Sequence, residues 1–399
     1  MVGMAAKKLW DKGYSVDNEV EDFTVGNDYL LDMRLVKYDC IASIAHARML
    51  GKVGILEKSE VNQLVAELNH IIELWKQGKF VISKEQEDVH TAIENVLTER
   101  LGDLGKKIHT GRSRNDQVLT ALRLYYKDNL KACSDLADKF IENVSRFKSA
   151  YGAIQLPGYT HTRKAMPSSI AMWSDAFIDS MRDNMKLIDA AYALVDQSPL
   201  GTGAGYGLPI DLDRKMTAAE LGFAKVQENP IYTQVSRGKF EATILHTLSQ
   251  IMLDLNKIAS DLMIFSMPEF GYFELPKRFT TGSSIMPNKR NPDVLELLRA
   301  KYHVVVSYEM QVKELAGSLP SGYNRDMQLT KWPVMEGFDI AEHSLKVAAH
   351  LFEGLKADSD NCKKGLTEDV YATQRAYELV KKGMPFRDAY RKVSEKYAK

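Results

Sequence analysis

A turn rich in serine with two cations beside it stands out in the stretch TTGSSIMPNKRNPD, residues 280–293. Gly282 makes this turn flexible, two serines follow it, and Lys289 and Arg290 add positive charge. Backbone amides, hydroxyls and nearby cations are what a small anion needs in a binding site. An ordinary surface loop can have the same composition, so the stretch alone leaves both interpretations open.

The end of the same stretch predicts the start of a helix. Asn291 is a good capping residue, and Pro292 suits the first helical position. Asp293 then lies where the helix dipole favours a negative charge. The sequence therefore predicts that the serine-rich turn leads directly into a helix.

Three other stretches combine polar and charged residues in the same way. They are EDVHTAIEN at 87–95, HTGRSRNDQV at 109–118 and PGYTHTRKAMP at 157–167. In the second, Gly111 favours a turn, and Ser113 or Asn115 is suited to cap a helix. The alternative is chemical: Arg112 and Arg114 would clamp a carboxylate, with Asn115 as donor and acceptor.

His161 lies in a predicted turn between two helices, with a threonine on each side. A histidine in a loop is often only solvated, but an imidazole held in place is a good proton carrier near neutral pH. The glycine-rich stretch LGTGAGYG at 200–207 follows a predicted helix, so it does not fit a dinucleotide loop. It remains open whether its backbone amides contact a substrate.

Composition limits the classes of function. The chain has 399 residues, 45% of them hydrophobic, and its 53 Lys and Arg balance 53 Asp and Glu. A net charge of zero does not favour nucleic acid or an anionic membrane as a partner. Three cysteines without metal-ligand spacing indicate a reducing compartment. We find no secretory leader, no transmembrane segment, no zinc-ligand spacing and no phosphate-binding loop in the sequence.

Apolar residues recur at steps of three and four in five long segments, which predicts long helices. The segments are 118–147, 170–192, 244–265, 298–315 and about 332–355. The third follows the strict alternation of a coiled-coil seam. No strand series is evident. Five long apolar seams predict an all-α bundle that also packs against other subunits.

The remaining parts of the chain read as smaller helical units. Two helices are predicted at Met33–Leu50 and Lys58–Gln77. We therefore predict three domains: an N-terminal helical domain at 1–108, a central long-helix bundle at 109–357, and a short C-terminal helical domain at 358–399. The polar stretches fall in the loops between helices, where function commonly resides.

Together these stretches resemble a known family. GSSIMPNKRNP resembles the GSSxMPxKxNP motif of the fumarase/aspartase superfamily. TGRSRNDQV, PGYTH, EDVHTAIEN and LPSGYNRDMQLTK resemble the argininosuccinate lyases within it. The motifs occur in the family's order, from about Lys8 to the KGMPFR segment. The chain is thereby identified as a member of this family.

The resemblance implies a three-domain, all-α homotetramer in which loops of three subunits form each active site. It implies a cytoplasmic enzyme that needs no metal or cofactor. The expected reaction is the reversible anti-elimination of argininosuccinate to arginine and fumarate, the last step of arginine biosynthesis. Its partners would be the small-molecule substrate and other copies of the chain, without nucleic acid or membrane.

The resemblance also assigns roles to residues. Ser283 and His161 would be the base and the acid. We assign Ser283 as the general base and His161 as the acid at the leaving guanidinium nitrogen, and the reverse assignment stays open. Lys289 would stabilise the aci-carboxylate intermediate. Glu296 would pair with the histidine of another subunit. The substrate-binding positions would be Asp28, Arg114, Asn115, Thr160, Ser284, Asn291, Tyr323, Gln328 and Lys331.

Several residues depart from the family pattern. Asp28 replaces a usual serine, and Thr162, Arg163 and Met166 alter the segment after His161. The C-terminal part is also shorter than usual. Two alternatives therefore stay open: a lyase for another N-succinyl substrate of the adenylosuccinate type, or a catalytically silent, crystallin-like structural protein.

Overall fold

The computed structural model describes residues 17–397. Residues 1–16 of the N-terminal segment that we searched for a secretory leader lie outside the described residues. Helices dominate this part of the chain. They are α1 Asn18–Val25, α2 Asp28–Asp32, α3 Val36–Lys52, α4 Lys58–Lys76, α5 Val89–Leu101, α6 Asp103–Lys107, α7 Arg114–Tyr151, α8 Ile170–Val195, α9 Arg214–Glu220, α10 Pro230–Val235, α11 Lys239–Phe265, α12 Asp293–Ala316, α13 Lys331–Phe352, α14 Ser359–Gly365, α15 Ala372–Lys381 and α16 Phe386–Ser394. None of them is long and apolar enough to cross a membrane.

The five long segments predicted from apolar spacing are all helical, as α7, α8, α11, α12 and α13. The prediction of a mainly helical fold is confirmed. In α11 the predicted seam is buried along its length, from Ile244 through Leu248 and Ile251 to Leu262. Each such side chain contributes about 1.5–3 kcal/mol on leaving water, which stabilises the long helices far more than intrinsic propensity does.

The two N-terminal helices are also confirmed. The predicted helix at Met33–Leu50 is α3, which begins three residues later, at Val36. The second matches α4 within one residue, and its first turn is closed by the Glu60 carboxylate, which accepts from the backbone amide of Glu57 at 2.9 Å. Such a reciprocal cap fixes where a helix begins.

The expectation that strands are absent was wrong in detail. Short pairs occur: β1 Gln155–Thr160, β2 Arg163–Ser169, β3 Gln197–Ser198, β4 Lys225–Val226, β5 Phe273–Glu274, β6 Thr281–Gly282, β7 Arg290–Asn291 and β8 Lys356–Ala357. Strands β1 and β2 form an antiparallel hairpin. The turn predicted around His161 is therefore the tip of this hairpin. Prolines and glycine interrupt the alternating pattern, so sequence did not reveal it.

The predicted helix cap at Asn291 was also wrong. Asn291 pairs with Thr281 across β6 and β7, and its side-chain amide donates to the Gly282 carbonyl at 3.4 Å. The Pro292 carbonyl instead accepts from the Leu295 amide at 2.8 Å, so α12 begins at Asp293. The pairing of Asn291 with Thr281, ten positions earlier, overrides the local capping preference.

The described chain forms two compact units. Within residues 17–397, unit 1 takes its residues from 17–131, 189–245 and 308–336, and unit 2 from 132–188, 246–307 and 337–397. Each unit is thus assembled from three separate stretches of sequence. The three-domain division stays a prediction.

Leu248→Ala is expected to lower the free energy of unfolding by about 2–5 kcal/mol, because it leaves a cavity on the fully buried seam of α11. Urea denaturation followed by circular dichroism measures this change. Val81→Ala is the matched control, since Val81 is 71% exposed and should change stability by less than about 0.5 kcal/mol. Equal effects of the two changes would contradict the packing described for α11.

Candidate functional site

A polar pocket of about 450 Å³ lies within unit 1. Its lining comprises Asp28, Asp32, Asp88, His90, His109, Arg112, Ser113, Arg114, Asn115, Val118, Arg237, Tyr323, Arg325, Gln328 and Lys331. Six of the predicted substrate-binding residues are therefore brought together: Asp28, Arg114, Asn115, Tyr323, Gln328 and Lys331. The other predicted residues belong to unit 2 and do not line this pocket.

The start of α7 positions Arg114 and Asn115. Ser113 precedes the helix, and its hydroxyl accepts from the Asn115 amide at 3.3 Å, so Ser113 is the cap that the sequence proposed. In return, the Asp116 carboxylate accepts from the Ser113 amide at 2.8 Å. This reciprocal closure fixes the direction in which the first turn presents its side chains.

The glycine-rich loop has a structural partner. Its amides at Gly201 and Gly203 each donate to the buried Asp116 carboxylate at 2.9 Å. Both glycines have positive φ, 86° and 59°, which a larger residue rarely adopts. These two amides are occupied within the protein. Burial raises the pKa of Asp116, although the backbone amides oppose this effect.

Arg114 is held by carboxylates of the chain itself. Its guanidinium forms ion pairs with Asp88 and with Glu87, the latter at 3.4 Å. Asp88 also caps α5 by accepting from the Thr91 amide at 2.8 Å. Arg112, the other arginine of this motif, is buried and donates to the Ser43 hydroxyl at 2.8 Å. Both arginines are therefore preorganised before any ligand arrives.

Sequence reasoning singled out EDVHTAIEN but assigned no role to His90 within it. His90 is buried in the pocket wall, and its Nδ1 lies 2.5 Å from the Asp39 carboxylate. Burial lowers the pKa of His90, but Asp39, Asp88 and Asp32 outweigh burial and raise it above its usual value. The signal that was missed is a histidine two residues after an acidic pair, Glu87 and Asp88.

Lys331 lies buried between two carboxylates. Its ammonium is 2.6 Å from Asp28 and 2.7 Å from Asp32. Asp32 also accepts from the Val89 amide at 3.1 Å, which links this trio to the start of α5. Burial raises the pKa of Asp28 to about 6, since the effect of Lys331, which lowers it, is smaller.

Gln328 lies in a short 3-10 helix, Arg325–Thr330, which ends directly before Lys331. Its side-chain amide donates to the Thr24 carbonyl at 3.1 Å, and Arg325 donates to the same carbonyl at 2.9 Å. These contacts hold the end of α1 beside the pocket. As expected for residues three apart, Gln328 and Lys331 both face the pocket.

The serine loop lies in unit 2. Strands β6 and β7 pair at its base, so residues 283–289 form a loop whose ends are fixed. The Ser283 hydroxyl oxygen accepts from the Met286 amide at 3.1 Å and from the Ile285 amide at 3.4 Å. Ser284 and Lys289 in this loop are exposed in the single chain.

His161 occupies the tip of the β1–β2 hairpin, directly after Thr160. His161 and Thr162 both have positive φ, 51° and 59°. This geometry favours glycine or asparagine, and neither turn residue is one of these. Each such residue costs roughly 1–2 kcal/mol, and strain of this kind is typical of functional sites.

Glu296 lies exposed in the first turn of α12. Among residues 17–397, no group of three or more His, Cys, Asp or Glu is placed to hold a metal.

Comparisons with known proteins identify the family. A family model described as lyase matches residues 15–307. An argininosuccinate lyase of Thermotoga neapolitana is 54% identical over 99% of both chains. One of Sorangium cellulosum is 44% identical over 98% of this chain and 91% of its own. This chain belongs to the argininosuccinate lyase family.

Solved structures support the same fold. An EDDS lyase in complex with formate superposes with a TM-score of 0.81, at 22% identity, over 96% of this chain and 76% of its own. A fumarate lyase, delta crystallin, from Brucella melitensis gives 0.76 at 21% identity, over 95% and 91%. At such low identity these proteins are similar to this argininosuccinate lyase family member in fold alone.

Asp28→Asn is expected to remove a pH dependence from stability. With the folded pKa near 6 and the unfolded value lower, folded Asp28 keeps a proton that the unfolded chain releases. Wild-type stability should therefore fall, relative to Asp28→Asn, by up to about 3 kcal/mol as pH rises from about 4 to about 6. Urea denaturation of both proteins across this range measures the difference. A constant difference would contradict a raised pKa for Asp28.

Proposed function

We propose that this chain is an argininosuccinate lyase, which eliminates fumarate from argininosuccinate and releases arginine. The observation that carries the proposal is its similarity over 99% of its length to a 54% identical argininosuccinate lyase. The polar pocket with paired charges supports it, because the substrate combines carboxylates with an ammonium and a guanidinium group. The reaction would be the reversible last step of arginine biosynthesis, in the cytoplasm.

The difficult step is removal of a proton from Cβ, next to a carboxylate. The resulting aci-carboxylate carries two negative charges, so it needs donors and cations arranged before the reaction. In this proposal Lys289 and the amides of residues 282–284 stabilise it. The loop of unit 2 is exposed, and its two ends are held by the β6–β7 pair. This arrangement supports a closing motion that brings these groups to the substrate and excludes water.

Ser283 is the proposed general base. A serine hydroxyl is a weak base, since its alkoxide is unstable at neutral pH. The two backbone amides that donate to its oxygen, from Ile285 and Met286, would stabilise that alkoxide. The ammonium of Lys289 in the same loop would add to this stabilisation.

His161 is the proposed acid that protonates the leaving guanidinium nitrogen. Its hairpin supports this role, because a tight two-residue turn fixes the position of the backbone that carries the imidazole. Glu296 of another subunit would pair with the imidazole and raise its basicity. Thr160, Ser284 and Asn291 would bind the substrate beside these groups, and the pocket residues Asp28, Arg114, Asn115, Tyr323, Gln328 and Lys331 would bind the rest of it.

A homotetramer would join these parts, with loops of three subunits at each site. The surface of α12 supports association. Leu295, Leu298 and Val305 are buried on one side, whereas Leu297 and Val304, seven residues apart, are 59% and 38% exposed. A helix that is apolar on two sides is typically buried on both, so the exposed side suits a subunit contact within a bundle.

The first experiment measures fumarate release spectrophotometrically from argininosuccinate and, separately, from adenylosuccinate. We expect release from argininosuccinate only. Ser283→Ala should lower kcat by roughly 10²- to 10⁴-fold, because it removes the base that takes the Cβ proton. Ser149→Ala, an exposed serine in α7, is the control and should keep wild-type turnover. Release from adenylosuccinate alone, or full activity of Ser283→Ala, would overturn this assignment.

The double change Leu297→Glu and Val304→Glu is expected to convert the tetramer into smaller species, because it would bury unpaired carboxylates in the subunit contact. Sedimentation velocity at equal protein concentration measures the mass. Fumarate release should fall with the loss of tetramer, since each site would lose its partner loops. Val81→Glu serves as the surface control. Unchanged mass in the double variant would argue against α12 as a subunit contact.

A further inference from the structure

Two arginines are buried beside the pocket of unit 1 with one carboxylate near both. Arg123 and Arg237 are each at most 8% exposed, and Glu241 is the acidic residue that acts on both. Burial lowers the pKa of Arg237, although Glu241 and Tyr323 partly oppose it. The region therefore holds an excess of positive charge away from water.

The donors of Arg123 and the acceptors of Glu241 are occupied elsewhere. Arg123 donates to the Gln197 carbonyl at 2.6 Å and to the Ser236 hydroxyl at 3.3 Å. Glu241 accepts from the Gly238 amide at 2.7 Å and from the Tyr126 hydroxyl at 3.4 Å. These contacts serve the local structure and leave Arg237 with no ion pair among the described residues.

Arg237 also keeps an unused donor. Its Nη1 is buried and has no hydrogen-bond partner among residues 17–397. The guanidinium carbon lies 5.3 Å from the centre of the Tyr323 ring, so the ring covers a face of the group. Stacking of this kind leaves the edge of a guanidinium, with its N–H groups, available for a carboxylate.

The other arginines that line the pocket are engaged differently. Arg114 pairs with Glu87 and Asp88, and Arg325 donates to a backbone carbonyl. Arg112 has an unpartnered Nε, but its Nη1 donates to Ser43. A buried cationic donor without a partner is costly, so a site that retains one is suited to an anionic ligand.

We propose that Arg237 binds a carboxylate of the substrate through Nη1, with Tyr323 holding the guanidinium in place. This inference rests on the proposed function, because the anion it assigns is part of argininosuccinate. The substrate offers carboxylates in both its succinyl part and its arginine part. The contact is an ion pair between a guanidinium and a carboxylate, whichever of the two parts supplies the carboxylate.

The test compares Arg237→Met and Arg237→Lys with wild type in the fumarate-release assay. A charged hydrogen bond formed equally in the ground and transition states should change KM and leave kcat nearly unchanged. We expect KM for argininosuccinate to rise roughly 10- to 100-fold in Arg237→Met, with kcat within about twofold. Arg237→Lys should also raise KM, because lysine cannot reproduce the forked donor.

Two further measurements separate binding from a merely structural role. Millimolar guanidinium should lower the KM of Arg237→Ala toward the wild-type value, because it supplies the missing group. Inhibition by fumarate and by arginine identifies the source of the carboxylate. Weaker inhibition by fumarate assigns the succinyl part, and weaker inhibition by arginine assigns the arginine part.

Arg48→Met is the control, since Arg48 is a half-exposed arginine of the same unit paired with Glu220. Circular dichroism melting checks that each variant folds. If Arg237→Met does not fold, the KM of Arg237→Lys decides the test, because lysine keeps the charge and most of the volume. An active wild type whose Arg237 variants keep the wild-type KM and both inhibition constants would overturn this inference alone. A wild type that releases no fumarate would instead overturn the proposed function.

Discussion

Lys331 can be buried only because Asp28 and Asp32 lie on either side of its ammonium. An unpaired charge at this depth would strongly destabilise the fold, whereas a pair with good geometry is tolerated. The same requirement recurs around the pocket, where Arg114 meets Glu87 and Asp88, and His90 meets Asp39. Each pair joins stretches that are distant in sequence. The pocket is therefore shaped by the need to compensate charges that have left water.

This constraint also explains why few of the polar groups in the pocket wall remain available. Most of its charged groups are committed to partners within the chain: Arg114 pairs with Glu87 and Asp88, and Lys331 pairs with Asp28 and Asp32. Arg237 stands apart, because its neighbouring carboxylate is occupied by Gly238 and Tyr126. Arg112 also keeps an unpartnered Nε, but it donates to Ser43 through Nη1. A buried cationic donor left without a partner is suited to a ligand's negative charge. The serine loop at 283–289 and the hairpin residue His161 differ from the pocket wall, since they lie largely exposed on short turns between paired strands.

Asp28 has a structural consequence for the charge of the pocket. In this chain the residue is committed to Lys331 and lies 13% exposed at its side chain, so it alters the charge that the lysine presents. A serine at this position would leave Lys331 with the single carboxylate of Asp32. The balance of charge in the pocket is thus a property of the whole trio, and Lys331 cannot be regarded as an isolated cation.

The sequence by itself determined the long helices, because a period of three and four apolar residues is a local property that helix geometry reads directly. It also determined the family, since contiguous motifs carry that likeness. Only tertiary structure decided the β1–β2 hairpin, the cap at Pro292 and the partners of the buried charges. Asp28 and Lys331 are 303 residues apart, and Asp116 and Gly201 are 85 apart. Such pairs depend on which segments the apolar seams bring together, and no local pattern encodes that choice.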